Sequence, residues 1–188
     1  MDTSTSEKWF TSKGDYSSGD LKREPKPKLA ITGAYAYNDR TFRSRDQLGS
    51  FIEHSNGDYA SFTTERVFTD VLFKYKGTSF MFEYANRTSD KELIFDNSIP
   101  NTVIGTVYNG EAYNYQMGYL FKNNLEIAGR YTNVQPNSNV GNNSEHYTIG
   151  LSKYIVGHKL KFQTDLSYID IAGADDDLVF RMQFELHF

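Results

Sequence analysis

The chain has no cysteine, only four prolines and one tryptophan, and no apolar run that approaches a membrane-spanning helix. Without cysteine there is no disulfide framework and no thiolate site, which suits passage through an oxidising periplasm. Without roughly 20 consecutive apolar residues a helical membrane protein is excluded. The opening MDTSTSEKWF has no basic stretch followed by an apolar one, so it is not read as a secretory signal peptide. A formal charge of −4 gives no basic footprint for nucleic acid. His54, His146, His158 and His187 lack metal-ligand spacing. Glycine-rich phosphate loops and a nucleophile elbow are missing too. Asp175, Asp176 and Asp177 read as a solvated loop rather than a calcium site, which needs 6–8 convergent oxygens. The expectation is no enzyme, no cofactor and no metal.

What the chain has is aromatics and alternation. Tyrosine and phenylalanine occur 14 times each, on a background that is only 38% hydrophobic. Mean hydropathy is −0.60. A transmembrane barrel has this balance, because only every second strand residue touches lipid. The last stretch, 178–188, reads LVFRMQFELHF. Phe180, Met182, Phe184, Leu186 and Phe188 share one parity, and Arg181, Gln183, Glu185 and His187 the other. That is a strand with one apolar and one polar face.

The same pattern predicts strands over 28–38, 66–76, 79–87, 111–121, 125–132, 146–155, 160–168 and 178–188, with a short extra one at 102–107. The connections at 76–78, 122–124 and 156–158 are short. Those at 40–65, 88–110, 133–144 and 170–177 are longer. Short and long links in alternation describe an all-β, antiparallel up-and-down sheet with one tight rim and one elaborated rim. Residues 1–27 form a polar segment in which Pro25 and Pro27 forbid a ladder. Trp9 and Phe10 read as the end of a preceding strand, and 28–188 as barrel strands.

Tyrosines cluster towards the long-loop ends, Tyr113 among them. Tyr119, Phe121 and Phe188 fall towards the tight ends, with aliphatics between. Two aromatic levels are the interface girdles of a barrel wall. The polar parity then faces a water-filled lumen. Its bases are read as Lys74, Arg87, Arg130, Lys153, Lys161 and Arg181, and its acids as Asp70, Glu83, Glu126, Asp165 and Glu185. The two sets nearly balance, so charge alone does not select anions.

Several stretches line up with one family. GDYSSGDL, REPKPKLAITGAYAYND and FRSRDQLG resemble bacterial phosphate-selective porins O and P, in the style of the Bacteroidetes. So do FTDVLFKYKG, FMFEYANR, YNYQMGYLFKNNLEIAGRYT, YTIGLSKYIVGHKLKFQTDLSY and the terminal strand. The resemblance implies the C-terminal half of a sixteen-strand transmembrane barrel, with about eight strands present. It implies a homotrimer in the bacterial outer membrane that passes small anions such as phosphate by passive diffusion. It also implies contact with outer-membrane lipid, and that the barrel-assembly machinery reads the strand 178–188. The constriction loop of such porins lies largely in the other half, and no phosphate-binding residue carries over from it.

Two alternatives stand beside this. One is a small closed eight-stranded outer-membrane barrel with a structural or adhesion role and no open pore. Its interior is just wide enough for side chains, yet positions 112, 118, 128, 150 and 152 hold only Ala, Gly and Ser. The other is a soluble ligand-binding barrel with the apolar parity turned inward.

Overall fold

The computed structural model describes residues 19–157 and 159–186. Among the described residues, alternating β-branched and aromatic residues build ten strands: β1 (Lys28–Thr41), β2 (Phe62–Tyr75), β3 (Thr78–Ser89), β4 (Leu93–Phe95), β5 (Val103–Thr106), β6 (Gly110–Leu120), β7 (Leu125–Pro136), β8 (Ser144–Val156), β9 (Leu160–Ile171) and β10 (Asp177–Leu186). One 3₁₀ turn, Asp46–Leu48, interrupts the first long connection. Eight strands form one antiparallel sheet in the order β1-β2-β3-β6-β7-β8-β9-β10, and β4 pairs only with β5. Each strand of the large sheet therefore lies beside its neighbour in the chain, apart from the β4–β5 hairpin inserted between β3 and β6. Among the described residues β1 pairs with β2 alone and β10 with β9 alone, so the sheet is open.

The tight turns have local causes. Lys76 and Gly77 both take positive φ, 49° and 91°, which matches the twist of a two-residue hairpin loop. Asn124 (φ 61°) and Gly157 (φ 54°) serve the other two short links. At the opposite rim the strands run further than alternation predicts. β2 begins at Phe62 rather than 66, and β7 continues to Pro136. Phe62 gains nothing from period two. It enters a small separate core with Ile52, Ala60, Ile94 and Val107, against which Ile104 packs. This core lies among the long loops, not under the sheet.

The register joins the apolar parities of all eight strands into one face. One row runs Phe82, Tyr115, Tyr131, Tyr147, Tyr168 and Leu178 across six strands. Its rings touch in sequence, with centroids 4.7, 6.4, 5.0 and 6.3 Å apart from Phe82 to Tyr168. The next row towards the tight rim holds Leu29, Phe73, Phe80, Met117, Gly129, Ile149, Leu166 and Phe180. This face is open: Leu29, Ile31, Met117, Phe180 and Met182 are 60–66% exposed. On the opposite face Lys74, Ser79, Glu126 and Ser167 are 2–5% exposed. A protein that folds by burying apolar area in water has the reverse arrangement.

Candidate functional site

The polar face carries the candidate site, and its side chains converge at three levels. At the tight rim, residues 19–27 lie across it. Nothing in 19–27 is strand. Asp20, fully buried, accepts the Gly77 amide at 2.8 Å and the Glu24 amide at 3.0 Å. The Arg23 guanidinium donates to the Phe121 carbonyl and to Asn124 Oδ1 in the β6–β7 turn. Lys74 donates to the Gly19 carbonyl at 3.4 Å. Beneath Gly19, the Tyr154 hydroxyl donates to Glu126, and both side chains are buried. A Cβ on Gly19 would stand 2.8 Å from that hydroxyl, so glycine is what lets the chain pass so closely. Gly118 makes similar room for the Glu126 carboxylate.

In the middle of the face lies an open cleft of about 170 Å³ lined by Gln116, Arg130, Thr148, Gly150, Gln163 and Asp165 among others. Arg181 closes one side, with Nε 2.8 Å from Asp165 and a second nitrogen 2.9 Å from the Ser167 hydroxyl. Lys161 pairs with Glu185 at 3.1 Å. Arg130 stands exposed between Gln116 and Thr148 on the neighbouring strands. At the long-loop rim, Arg66 and Arg87 face each other across β2 and β3. Beyond them Phe62 and Thr64 are buried.

Five of the six expected lumen bases, Lys74, Arg87, Arg130, Lys161 and Arg181, share this face. Lys153 does not. It lies opposite Leu125 and Phe162, on the aromatic face, and its Nζ donates to the Asn123 carbonyl at 2.6 Å. The reason is parity: Lys153 is two residues from Leu151, so the strand that turns Tyr147, Ile149 and Leu151 outward turns Lys153 outward as well. At the tight end of a strand a lysine can hold its stem along apolar neighbours and its charge on a turn carbonyl. Lys28 and Arg66, unclaimed by sequence reasoning, join the polar face through their registers with Lys74 and Arg87. Tyr154 was also missed; its signal was an aromatic on the parity of Thr148, Gly150 and Ser152.

Of the expected interface aromatics, Tyr119 and Phe121 are exposed and meet edge to face at 5.1 Å. Tyr113 accepts a hydrogen bond from Gln135 at 2.9 Å. Phe188 lies outside the described residues, as do Trp9 and Phe10. Carboxylates accompany the outer tyrosines, which alternation did not reveal: Tyr84 donates to Glu111 at 3.0 Å and Tyr168 to Asp176 at 2.6 Å.

The long loops are pinned by Asp96. Its carboxylate accepts the Ser55 hydroxyl and amide, and the amides of Ser98 and Ile99. These donors, the Ser55 hydroxyl foremost, hold its pKa well below the usual carboxylate range. Among the described residues no group of His, Asp and Glu side chains has the arrangement of a metal site. Comparison with family models, with curated proteins and with solved structures finds no match.

Proposed function

We propose that this chain forms part of the wall of a bacterial outer-membrane β-barrel channel that lets small anions such as phosphate diffuse down their gradient. The single observation that carries the reading is the inverted sheet: an exposed apolar face eight strands wide, backed by a polar face that is the more covered of the two. Contiguous exposed apolar surface of that extent calls for a non-aqueous neighbour. Strands that alternate apolar-out and polar-in, with tight turns on one rim and long loops on the other, suit a lipid bilayer around a water-filled interior. Tyrosine rings with carboxylate partners at the long-loop rim suit the headgroup level, where one end of the side chain is apolar and the other wet.

The resemblance to phosphate-selective porins O and P supplies the finer parts of the proposal. These are anions as solute, a larger barrel of which eight strands are present, a homotrimer, and recognition of the terminal strand by the assembly machinery. The open edges at β1 and β10 fit that larger barrel, since hydrocarbon does not tolerate unpaired strand edges. Lys28, Arg66, Arg130 and Arg181 give the polar face the donors an anion would meet. No cofactor and no covalent step are needed.

The test is reconstitution of the full-length protein into planar bilayers under a salt gradient. Discrete conductance steps with a reversal potential on the anion side support the proposal. A folded, membrane-inserted protein without conductance points instead to the closed structural barrel. A stable, monodisperse monomer in water without detergent contradicts both.

A further inference from the structure

We infer that residues 19–27 form a strap that narrows the tight-rim mouth of the pore, with Lys22 and Lys26 setting the charge of that mouth. The inference rests on the channel reading and locates its constriction within this chain. A hairpin beside β1 would keep the incoming chain next to β1. Instead, Gly19 lies against Glu126 of β7 and Tyr154 of β8, while Lys28 starts β1 at the far edge of the sheet. The side chains of Lys74 on β2, Glu126 on β7 and Tyr154 on β8 converge on Gly19 over the polar face. The strap is folded rather than extended: the Arg23 amide donates to the Asp20 carbonyl at 3.0 Å and the Glu24 amide to the Asp20 carboxylate, so residues 20–24 make a turn seated on the tight rim.

Its pins are specific. Asp20 holds the β2–β3 turn through the Gly77 amide. The Glu24 carbonyl accepts the Lys76 amide at 3.0 Å, and the Glu24 carboxylate pairs with Lys28 at 2.9 Å. Arg23 holds the β6–β7 turn. Charge-assisted bonds of this kind, one of them to a buried carboxylate, are the strong class. Both carboxylates of the strap and its arginine are thus turned to the wall. Lys22 and Lys26 are exposed and have neither a hydrogen bond nor an ion pair among the described residues. Pro25 and Pro27 keep the segment out of any ladder. The strap therefore offers two unneutralised cations on a backbone pinned at one rim of the polar face. Charge at a narrow part of a pore sets selectivity far more than the same charge on a wide wall.

The experiment has two arms in the full-length protein, and residues 1–188 hold no native cysteine to compete with introduced thiols. First, an R23C/N124C pair is treated with a short bis-maleimide and followed by gel mobility. Cross-linking within one chain is expected. Failure of two reactive thiols to cross-link overturns the strap's placement. Second, Lys22→Glu with Lys26→Glu is compared with the parent in planar bilayers. A several-fold fall in the anion-to-cation permeability ratio is expected, with cross-linking unchanged. Full parental conductance and selectivity in the double variant overturn the inference and leave the channel reading intact. No current from parent or variant removes the channel reading, and the strap's role with it.

Discussion

Tyr154 and Lys153 show at the scale of single residues how far parity carries. They are adjacent, and each lies on the face opposite to its chemical type: the tyrosine among polar groups, the lysine among apolar ones. Parity, read from Leu151, assigns both correctly; sorting by chemical type does not. The Tyr154–Glu126 bond explains why a large ring belongs on the polar face. Its hydroxyl satisfies a buried carboxylate. Tyr154→Phe should therefore cost about 1–3 kcal/mol, because the carboxylate keeps its burial and loses a donor. Denaturant unfolding of the detergent-solubilised protein measures this, and a loss near zero would mean that water replaces the hydroxyl. The two cations also separate functionally. Arg130→Glu is expected to lower the anion-to-cation permeability ratio, and Lys153→Glu to leave it unchanged, as measured by reversal potentials.

At the scale of elements, strands were legible and their covers were not. Each long strand writes its own period over ten or more residues, so β6 over Gly110–Leu120 and β10 over Asp177–Leu186 lie within two residues of expectation. β4, three residues long, is too short to show a period. Phe62 extends β2 for the sake of a loop core whose members range from Ile52 to Val107. The strap is the extreme case. Asp20 is 57 residues from the amide it accepts, and no local pattern encodes that contact.

The loop cap yields a pH prediction. Its folded Asp96 pKa is depressed, so its contribution is complete above the unfolded value of about 3.9 and is lost as pH falls through the lower folded value. Asp96→Asn should speed hydrogen exchange of the Ser55, Ser98 and Ile99 amides at neutral pH. In the parent the same amides should stay protected until the pH is well below 3.9. Equal exchange rates in parent and variant would show that the carboxylate does not hold the loops.

At the scale of the whole molecule, the inverted sheet is what supports the proposed membrane environment. The two faces of one strand should respond oppositely to a new charge. Ile149→Arg puts a guanidinium on the aromatic face and is expected to destabilise the membrane-inserted state by about 2–4 kcal/mol near the midplane. Thr148→Arg, one residue away on the polar face, should fold and insert normally. Heat-modifiable gel migration reads both. The all-β antiparallel sheet was legible because eight strands repeat one arrangement. Alternation says nothing of sheet closure, partners or solute, because period two distinguishes the two faces of a strand and nothing beyond them.

The most direct measurement uses single cysteines placed one at a time along β8, from His146 to Ser152, in a chain whose residues 1–188 hold no other cysteine. Each is spin-labelled and assayed in lipid vesicles for collision with oxygen, which concentrates in hydrocarbon, and with a water-soluble nickel chelate. The account predicts period two: oxygen reaches 147, 149 and 151, and nickel reaches 146, 148, 150 and 152. Water access at both parities, or oxygen access at neither, would contradict it.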